Sequence, residues 1–339
     1  MMMIRQVAFL SAAEPLRTSS TASEIAAAER AGLALLESRL GRERLQRRLE
    51  RERDYERRVV RKGRYFLHVE TWRGLIRGSV RLAGLHGRGR RNALAIELRR
   101  NEPSFRHLPA AFDGFTLLQL SDLHLDMSAD IADALIERVR PLEYDLCVLT
   151  GDYRARTVGP FDAALAGLER LRAHIKGPVY AVLGNHDTIR MVPRMEAMGF
   201  SLLLDEWTRI ERDGAALCLA GIDEARSGRA ENLRRATQGM PDLAVSVLLS
   251  HRPGAYRHAA QAGFSLMLAG HTHGGQICLP GGMPLFTDGE SPRALARGAW
   301  RYQSLHGYTS AGSAASLVDL RFNCPPEVTL HRLRRGGGA

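Results

Sequence analysis

Hydrophobic residues in the last two thirds of the chain are grouped into short, continuously apolar segments. Continuous apolarity over so few residues is what a strand buried on both faces requires. The segments cover residues 115–120, 146–150, 179–183, 245–249 and 266–269, and a final strand is predicted at 328–333. Apolar positions at helical spacing separate them near residues 129–140, 161–174, 229–237 and 254–261. The alternation of strand and helix predicts an α/β architecture with a largely buried sheet.

A different pattern precedes these segments. Between residues 22 and 62, leucines such as Leu33, Leu36 and Leu40 recur at three- and four-residue spacing, with arginine- and glutamate-rich faces between them. This pattern predicts one long helix or two joined helices, and Gly41 predicts a bend.

Residues 64–91 are weakly apolar and contain regularly placed arginines. Gly87 and Gly89 predict a loop near the end of this stretch. The apolar side chains between Trp72 and Leu85, flanked by arginines, are typical of a segment that contacts an anionic membrane surface.

The basic residues are concentrated in the first third of the chain. Residues 1–110 contain 24 Lys+Arg against 12 Asp+Glu, whereas the remainder contains 24 and 25. We therefore expect three parts, namely a basic, largely helical extension and linker over 1–110, an α/β domain over 111–333 and a disordered tail over 334–339.

The composition excludes several classes of protein. With 45% hydrophobic and 25% charged residues, the chain matches soluble globular domains. It contains no run of the about 20 apolar residues that a membrane-spanning helix needs, and its first residues make a poor signal peptide. The four cysteines form no CxxC pair, which argues against a disulfide framework. These features predict a cytoplasmic protein.

Each of the five apolar segments runs directly into a polar cluster. The carboxyl ends of strands in α/β sheets converge on one crevice, so these clusters are expected to meet. Together they supply three aspartates, one asparagine and five histidines, which are Asp122, His124, Asp152, Asn185, His186, Asp187, His251, His271 and His273.

Imidazole and carboxylate ligands suit Mn, Fe, Co and Zn, whereas a Ca or Mg site would be nearly all oxygen. In D-x-H and H-x-H, alternate side chains of an extended segment point to the same side and can face one metal. The other interpretation, five unrelated polar turns, requires a coincidence at every strand end. Which of the four metals is bound stays open.

The order DxH, GD, GNHD, HxP and GHTH resembles the calcineurin-like metallophosphoesterase superfamily. The extended GHTHGGQ and the closing Asn323-Cys324-Pro325-Pro326-Glu327 resemble its bacterial phosphodiesterase branch, whose members are often membrane-associated. The resemblance covers about residues 113–333. It implies a four-layer αββα sandwich with a centre of two divalent transition-metal ions.

The resemblance also implies a role for each residue. One metal would be held by Asp122, His124 and His273. The other would be held by Asn185, His251 and His271, and Asp152 would bridge both. Two such metals lower the pKa of a shared water, which makes a hydroxide nucleophile available at neutral pH. His186 would stabilise the transition state or protonate the leaving oxygen, with Asp187 as its orienting partner.

Departures from other branches narrow the function. Protein phosphatases of the superfamily carry GDxxDRG, but here Gly151-Asp152 is followed by Tyr153-Arg154-Ala155-Arg156, which disfavours that activity. The UDP-diacylglucosamine pyrophosphatase branch has arginine where His186 stands, so this chain is outside that branch, although the substrate itself is not excluded. Three arginines beside the predicted site are candidates for binding substrate phosphate or are solvated surface residues, namely Arg154, Arg156 and Arg252.

Three interpretations of the basic extension stay open. Its leucine stripe packs on the α/β domain, residues 22–91 bind an anionic membrane surface, or the basic arm binds nucleic acid. The third is weaker, because no recognised nucleic-acid module or aromatic stacking pattern accompanies the charge.

The sequence therefore predicts a cytoplasmic, metal-dependent phosphodiesterase or pyrophosphatase. Its substrate would be lipid-linked or nucleotide-linked, and the protein would dock peripherally on the inner membrane to reach it. The alternatives are a nuclease that holds its polyanionic substrate with the basic arm, and a metal-binding scaffold without turnover.

Overall fold

Two six-stranded β-sheets pack face to face, and helices cover the outer face of each sheet. The computed structural model describes residues 22–61, 63–223, 229–242, 245–285 and 291–336. This four-layer αββα sandwich confirms the fold expected from the sequence.

The first sheet contains, in spatial order, β1 (Glu97–Asn101), β13 (Glu327–Arg332), β3 (Thr116–Leu120), β4 (Leu146–Leu149), β5 (Val179–Ala181) and β6 (Ser201–Leu202). Strands β3 to β6 are parallel, and β13 runs antiparallel to β3. The second sheet contains β11 (Gly298–Tyr302), β12 (Leu305–Thr309), β10 (Leu266–Ala269), β9 (Ser246–Leu249), β8 (Ala215–Gly221) and β7 (Glu206–Arg212). Its four central strands are parallel, and each edge is an antiparallel hairpin.

The helices lie outside the sheets. They are α1 (Ala22–Leu40), α2 (Arg42–Arg61), α3 (Gly63–Leu82), α4 (His86–Leu94), α5 (Ala129–Val139), α6 (Asp162–Arg172), α7 (Val192–Ala197), α8 (Arg229–Ala236) and α9 (Tyr256–Gln261). The predicted bend is confirmed, because Gly41 separates α1 from α2 with a φ of 82°, a value that favours glycine.

The continuous apolarity of the central strands follows from their position between two layers. In β3, Leu117 packs between the two sheets, whereas Leu118 and Leu120 face the covering helices. The same division holds in β10, where Leu268 faces the other sheet and Met267 faces helices of the second layer. Both faces of these strands are therefore buried, as the sequence pattern indicates.

The edge strands were not predicted from the sequence. Strand β7 (Glu206–Arg212) and strand β11 (Gly298–Tyr302) alternate between half-buried and exposed positions, so neither contains a continuous apolar run. Strand β1 belongs to the first sheet although it precedes the predicted domain boundary at residue 110. A further short strand, β14 (Arg334–Arg335), pairs with β2 (Ser104–Phe105).

Strand β14 lies within the tail that the sequence predicts to be disordered. The prediction of disorder is therefore wrong for Arg334 and Arg335, while residues 337–339 lie outside the described residues.

The loop predicted at Gly87 and Gly89 is also wrong, because both residues belong to α4. A Cβ added to Gly89 would lie 2.7 Å from Cζ of Phe322. Glycine there permits close packing of the helix on the C-terminal segment, a tertiary effect that local sequence preference does not reveal.

The basic extension packs on the α/β domain through the leucine stripe of α1 and α2. Leu36 and Leu45 are buried in the cluster that lies between the first sheet and its helices. Arg44 forms an ion pair of 2.9 Å with Asp205. The first interpretation of the extension is thus confirmed for these two helices.

Helix α3 has a different surface. Trp72, Leu75 and Leu82 expose 54%, 57% and 92% of their area, respectively. Within the described part of the chain, no helix combines the length and the hydropathy needed to span a bilayer.

Replacing Leu36 with alanine should lower the free energy of unfolding by about 2–4 kcal/mol, because the side chain is 2% exposed within a packed core. The neighbouring Leu35 is 69% exposed on the same helix, so Leu35→Ala should change stability by no more than about 0.5 kcal/mol. Urea unfolding of both variants makes the comparison. Equal, small effects would show that α1 does not dock as described.

Candidate metal centre

The polar clusters that follow the central strands meet at one edge of the sandwich. Asp122 and His124 follow β3, and Asp152 follows β4, so the first sheet supplies these side chains. His251 follows β9, and His271 follows β10, so the second sheet supplies the others. The predicted convergence of strand ends therefore occurs between the two sheets.

Asp122, His124 and His273 form one group with metal-ligand geometry. Their candidate ligand atoms all lie within 4.8 Å of one another, and all three residues are buried. Nε2 of His124 lies 3.2 Å from Nε2 of His273, which in turn lies 3.5 Å from Oδ1 of Asp122. The group could hold one cation.

Asp152, His251 and His271 form a second such group. Nε2 of His251 lies 3.3 Å from Oδ2 of Asp152 and 3.2 Å from Nδ1 of His271. The amide oxygen of Asn185 lies 3.0 Å from the same Nε2. The sequence-predicted asparagine thus joins this group.

Backbone carbonyl groups orient two of the imidazole rings. Nδ1 of His124 lies 2.9 Å from the carbonyl oxygen of Arg154, and Nδ1 of His251 lies 2.8 Å from that of Thr150. Because a carbonyl oxygen can only accept, Nδ1 carries the proton in each ring, and in the neutral ring Nε2 presents its lone pair to the group. These lone pairs face carboxylate oxygen or another imidazole, an arrangement of donors that suits a bound metal ion.

The ligand-bearing turns have a backbone conformation that is uncommon outside glycine. Positive φ angles between 39° and 72° occur at Asp122, His124, Asp152, His271 and His273. Such residues persist only when surrounding contacts enforce them, and they concentrate at functional sites. The turns are also tightly packed, because a Cβ added to Gly184 would lie 2.2 Å from Oδ1 of Asp152.

Burial sets the electrostatics of the centre. It raises the pKa of Asp122 to about 6, with the nearby Asp152 adding to the effect. Burial lowers the pKa of His124 to about 4 and that of His271 to about 2. For Asp152, burial opposes ionisation, yet the charges of His251 and other histidines hold its pKa well below the usual value. The imidazoles of His124 and His271 are therefore neutral near pH 7, the state in which they ligate metals.

Asp187 does not orient His186 as expected. Among the described residues, its carboxylate accepts from the backbone N–H groups of Asp152 at 2.8 Å, Tyr153 at 2.9 Å and Gly184 at 2.8 Å. The ring Nδ1 of His186 instead lies 3.2 Å from Oγ1 of Thr157. Asp187 is thus a positioning residue for the two turns after β4 and β5.

His186 lies at the margin of the centre. It is half-buried, and its ring centroid lies 5.3 Å from that of His124. Its Nε2 lies 3.9 Å from Oδ2 of Asp152. The imidazole is therefore beside the ligand groups and partly open to solvent.

The three candidate phosphate-binding arginines occupy different environments. Arg154 is buried and donates to the carbonyl oxygens of His186, Thr157 and Gly159. It therefore stabilises the loop between β4 and α6 and does not present its guanidinium to a substrate. Arg252 is also buried and donates to the amide oxygen of Asn185 at 3.2 Å. Arg156 is exposed.

Arg321 belongs to the site but was not predicted from the sequence. Its guanidinium is fully buried, lies 3.3 Å from Nδ1 of His273 and donates to the carbonyl oxygen of Ala311 at 2.6 Å and of Ala314 at 2.5 Å. It holds the segment that packs behind His273. The one sequence signal was its position two residues before the closing motif that begins at Asn323.

Comparisons with known proteins agree with this geometry. The calcineurin-like phosphoesterase model matches residues 115–275. YkuE of Bacillus subtilis (strain 168), described as an uncharacterized metallophosphoesterase, is 30% identical over 67% of this chain and 82% of its own length. YkoQ of the same organism, with the same description, is 27% identical over 71% of this chain and 89% of its own length. The phosphodiesterase YaeI of Escherichia coli (strain K12) is 29% identical over 65% of this chain and 82% of its own length. Through these relationships, this chain belongs to the calcineurin-like phosphoesterase family.

Proposed function

We propose that this protein is a metal-dependent phosphodiesterase or pyrophosphatase that acts at a centre of two divalent transition-metal ions. The observation that carries the proposal is the pair of ligand groups, buried except for the half-buried His271, in which imidazole and carboxylate donors lie close together. The relative YaeI is named a phosphodiesterase, which supports a phosphodiester substrate for this protein.

The donor set fits two cations. Asp122, His124 and His273 would hold one, and Asn185, His251 and His271 would hold the other. Asp152 would contact both, in keeping with its effect on the pKa of Asp122. When bound, such ions acidify a water molecule and neutralise charge on the phosphoryl oxygens.

Residues around the candidate ligands would bind the substrate and protonate its leaving group. His186, held through Nδ1 by Thr157, is placed to protonate the leaving oxygen with Nε2. Arg252 orients Asn185 and adds positive charge beside the phosphate, and the exposed Arg156 is a further phosphate contact. A cavity of about 610 Å³ beside Asn185 gives room for the second ester substituent of a diester.

Replacing Asp152 with asparagine should lower kcat by at least about a hundredfold, because the change removes a charged ligand shared by both groups. The assay is hydrolysis of bis(p-nitrophenyl) phosphate and of p-nitrophenyl phosphate with added Mn²⁺, with an EDTA-treated sample alongside. Asp133→Asn makes the same chemical change on the surface and should keep full activity.

Faster hydrolysis of the monoester than of the diester would overturn the proposed substrate class. If both esters stay intact while metal is shown to be bound, the protein is a metal-binding scaffold and the proposed activity is wrong.

Replacing His186 with asparagine should slow esters with poor leaving groups by about 10²–10⁴-fold, because the leaving oxygen then departs without a proton. Aryl esters that leave readily should be affected much less. Comparison of phenyl and p-nitrophenyl diesters, together with metal analysis of the variant, makes the measurement. A uniform loss across both esters, or loss of metal, would contradict the role of proton donor.

The Asp187→Asn variant should bind metal about 10–100-fold more weakly, because the carboxylate positions the turns that carry Asp152 and Asn185. Titration of the metal-free protein with Mn²⁺ measures the affinity. If metal affinity were unchanged and only poor leaving groups were slowed, Asp187 would act through His186 as the sequence first indicated.

We further propose that α3 attaches the protein to an anionic membrane surface, in keeping with a lipid-linked substrate. Trp72, Leu75 and Leu82 are exposed, and arginines alternate with them along the helix. Co-sedimentation of wild-type protein and of Leu75→Ser/Leu82→Ser with phosphatidylglycerol vesicles tests this directly. Binding of the wild type alone supports attachment, and its absence from the pellet at low salt overturns it.

A further inference from the structure

The cavity beside the candidate metal centre is partly walled by the basic extension. Gly184 and Asn185 lie at one side of it, and Val158 and Phe161 lie on the loop before α6. Helix α2 supplies the opposite wall with eight side chains between Arg48 and Arg58, which fall within about three helical turns. The extension is therefore part of the approach to the centre.

Helix α2 is held firmly in this position. The carboxylate of Glu52 accepts from Oγ1 of Thr188 at 2.5 Å and from the backbone N–H of Ile189 at 2.9 Å. Arg48 forms an ion pair of 2.8 Å with Asp223, which follows β8 of the second sheet. Thr188 follows the Asn185-His186-Asp187 turn directly, so α2 is tied to the same loop that carries the predicted ligand.

The lining has an excess of positive charge, with six arginines against three carboxylate residues. Three of the arginines are already engaged. Arg48 pairs with Glu52 and Asp223, Arg190 pairs with Glu29, and Arg154 donates to carbonyl oxygens. Their charge stabilises the fold and does not need a ligand.

The other three arginines of the lining lie on α2. Arg51, Arg53 and Arg58 form no ion pair within the part of the chain that the structure describes. Among the described residues, their Nε groups donate to carbonyl oxygens of their own helix, at 3.3 Å, 3.4 Å and 3.3 Å, respectively. Burial and the charge of Arg48 lower the pKa of Arg51, so an anion placed there would relieve repulsion.

We propose that Arg51, Arg53 and Arg58 form a second anion subsite, which binds a phosphate or carboxylate of the substrate other than the one that is hydrolysed. The inference rests on the proposed function and narrows its substrate class to phosphoesters with two anionic groups. Leu49, Tyr55 and Phe161 line the same cavity and would contact an apolar or aromatic part of that substrate. The basic extension is thus a specificity element of the enzyme.

The test compares two substrates that differ only in a second phosphate. They are thymidine 5′-(p-nitrophenyl phosphate) and the same ester with a 3′-phosphate. The full-length wild-type protein should have a higher kcat/KM for the 3′-phosphorylated ester. In Arg53→Ala/Arg58→Ala, the ratio of the two kcat/KM values should fall about tenfold, the size of one charge-assisted hydrogen bond.

Arg47→Ala/Arg57→Ala is the matched control. It removes the same charge from the same helix at two exposed positions outside the cavity, and it should keep the wild-type ratio. An equal fall in both variants, or a wild-type ratio near one, would overturn the subsite. Thermal unfolding of both variants checks that α2 stays docked.

If the proposed function were wrong, neither ester would be hydrolysed, a result distinct from a changed ratio of the two kcat/KM values. Calorimetric titration of the 3′-phosphorylated ester would decide the subsite in that case. Binding that is lost in Arg53→Ala/Arg58→Ala and kept in the control supports it, and equal binding by all three proteins overturns it.

Discussion

The carboxylate of Asp187 connects the parts of the centre through three backbone N–H groups. It fixes the turn after β4, which carries Asp152, to the turn after β5, which carries Asn185. Without this connection, the positive-φ turns that aim the ligands would lack one of the contacts that enforce them. The buried histidines depend on similar contacts, because carbonyl oxygens of the neighbouring turns determine which ring nitrogen faces inwards.

The basic extension is integrated into this arrangement and is not a separate arm. Its leucines join the core outside the first sheet, and Glu52 reaches the loop that follows Asp187. Much of its charge is neutralised by carboxylates of the α/β domain, as at Arg44 and Arg48. Within the described residues, Arg51, Arg53 and Arg58 form no ion pair, and they lie on the cavity wall where an anionic substrate would approach the centre.

Much of the fold and of the site could be predicted from the sequence because burial on both faces leaves a strong pattern. The strands that carry Asp122, Asp152 and His251 are continuously apolar, and each ends at its polar cluster. Edge strands such as Glu206–Arg212 could not be recognised in this way, because their side chains alternate between protein and solvent. Gly89 was misread as a loop signal, since its partner Phe322 is distant in sequence.

The sequence by itself determined which residues form the candidate centre, because strand ends of an α/β sandwich converge and place their polar residues together. Only the tertiary structure decided how those residues are supported. Arg321 lies behind His273, Asp187 binds backbone N–H groups in place of the His186 ring, and α2 lines the cavity. Each of these depends on contacts between residues far apart in the chain, and local spacing carries no information about such contacts.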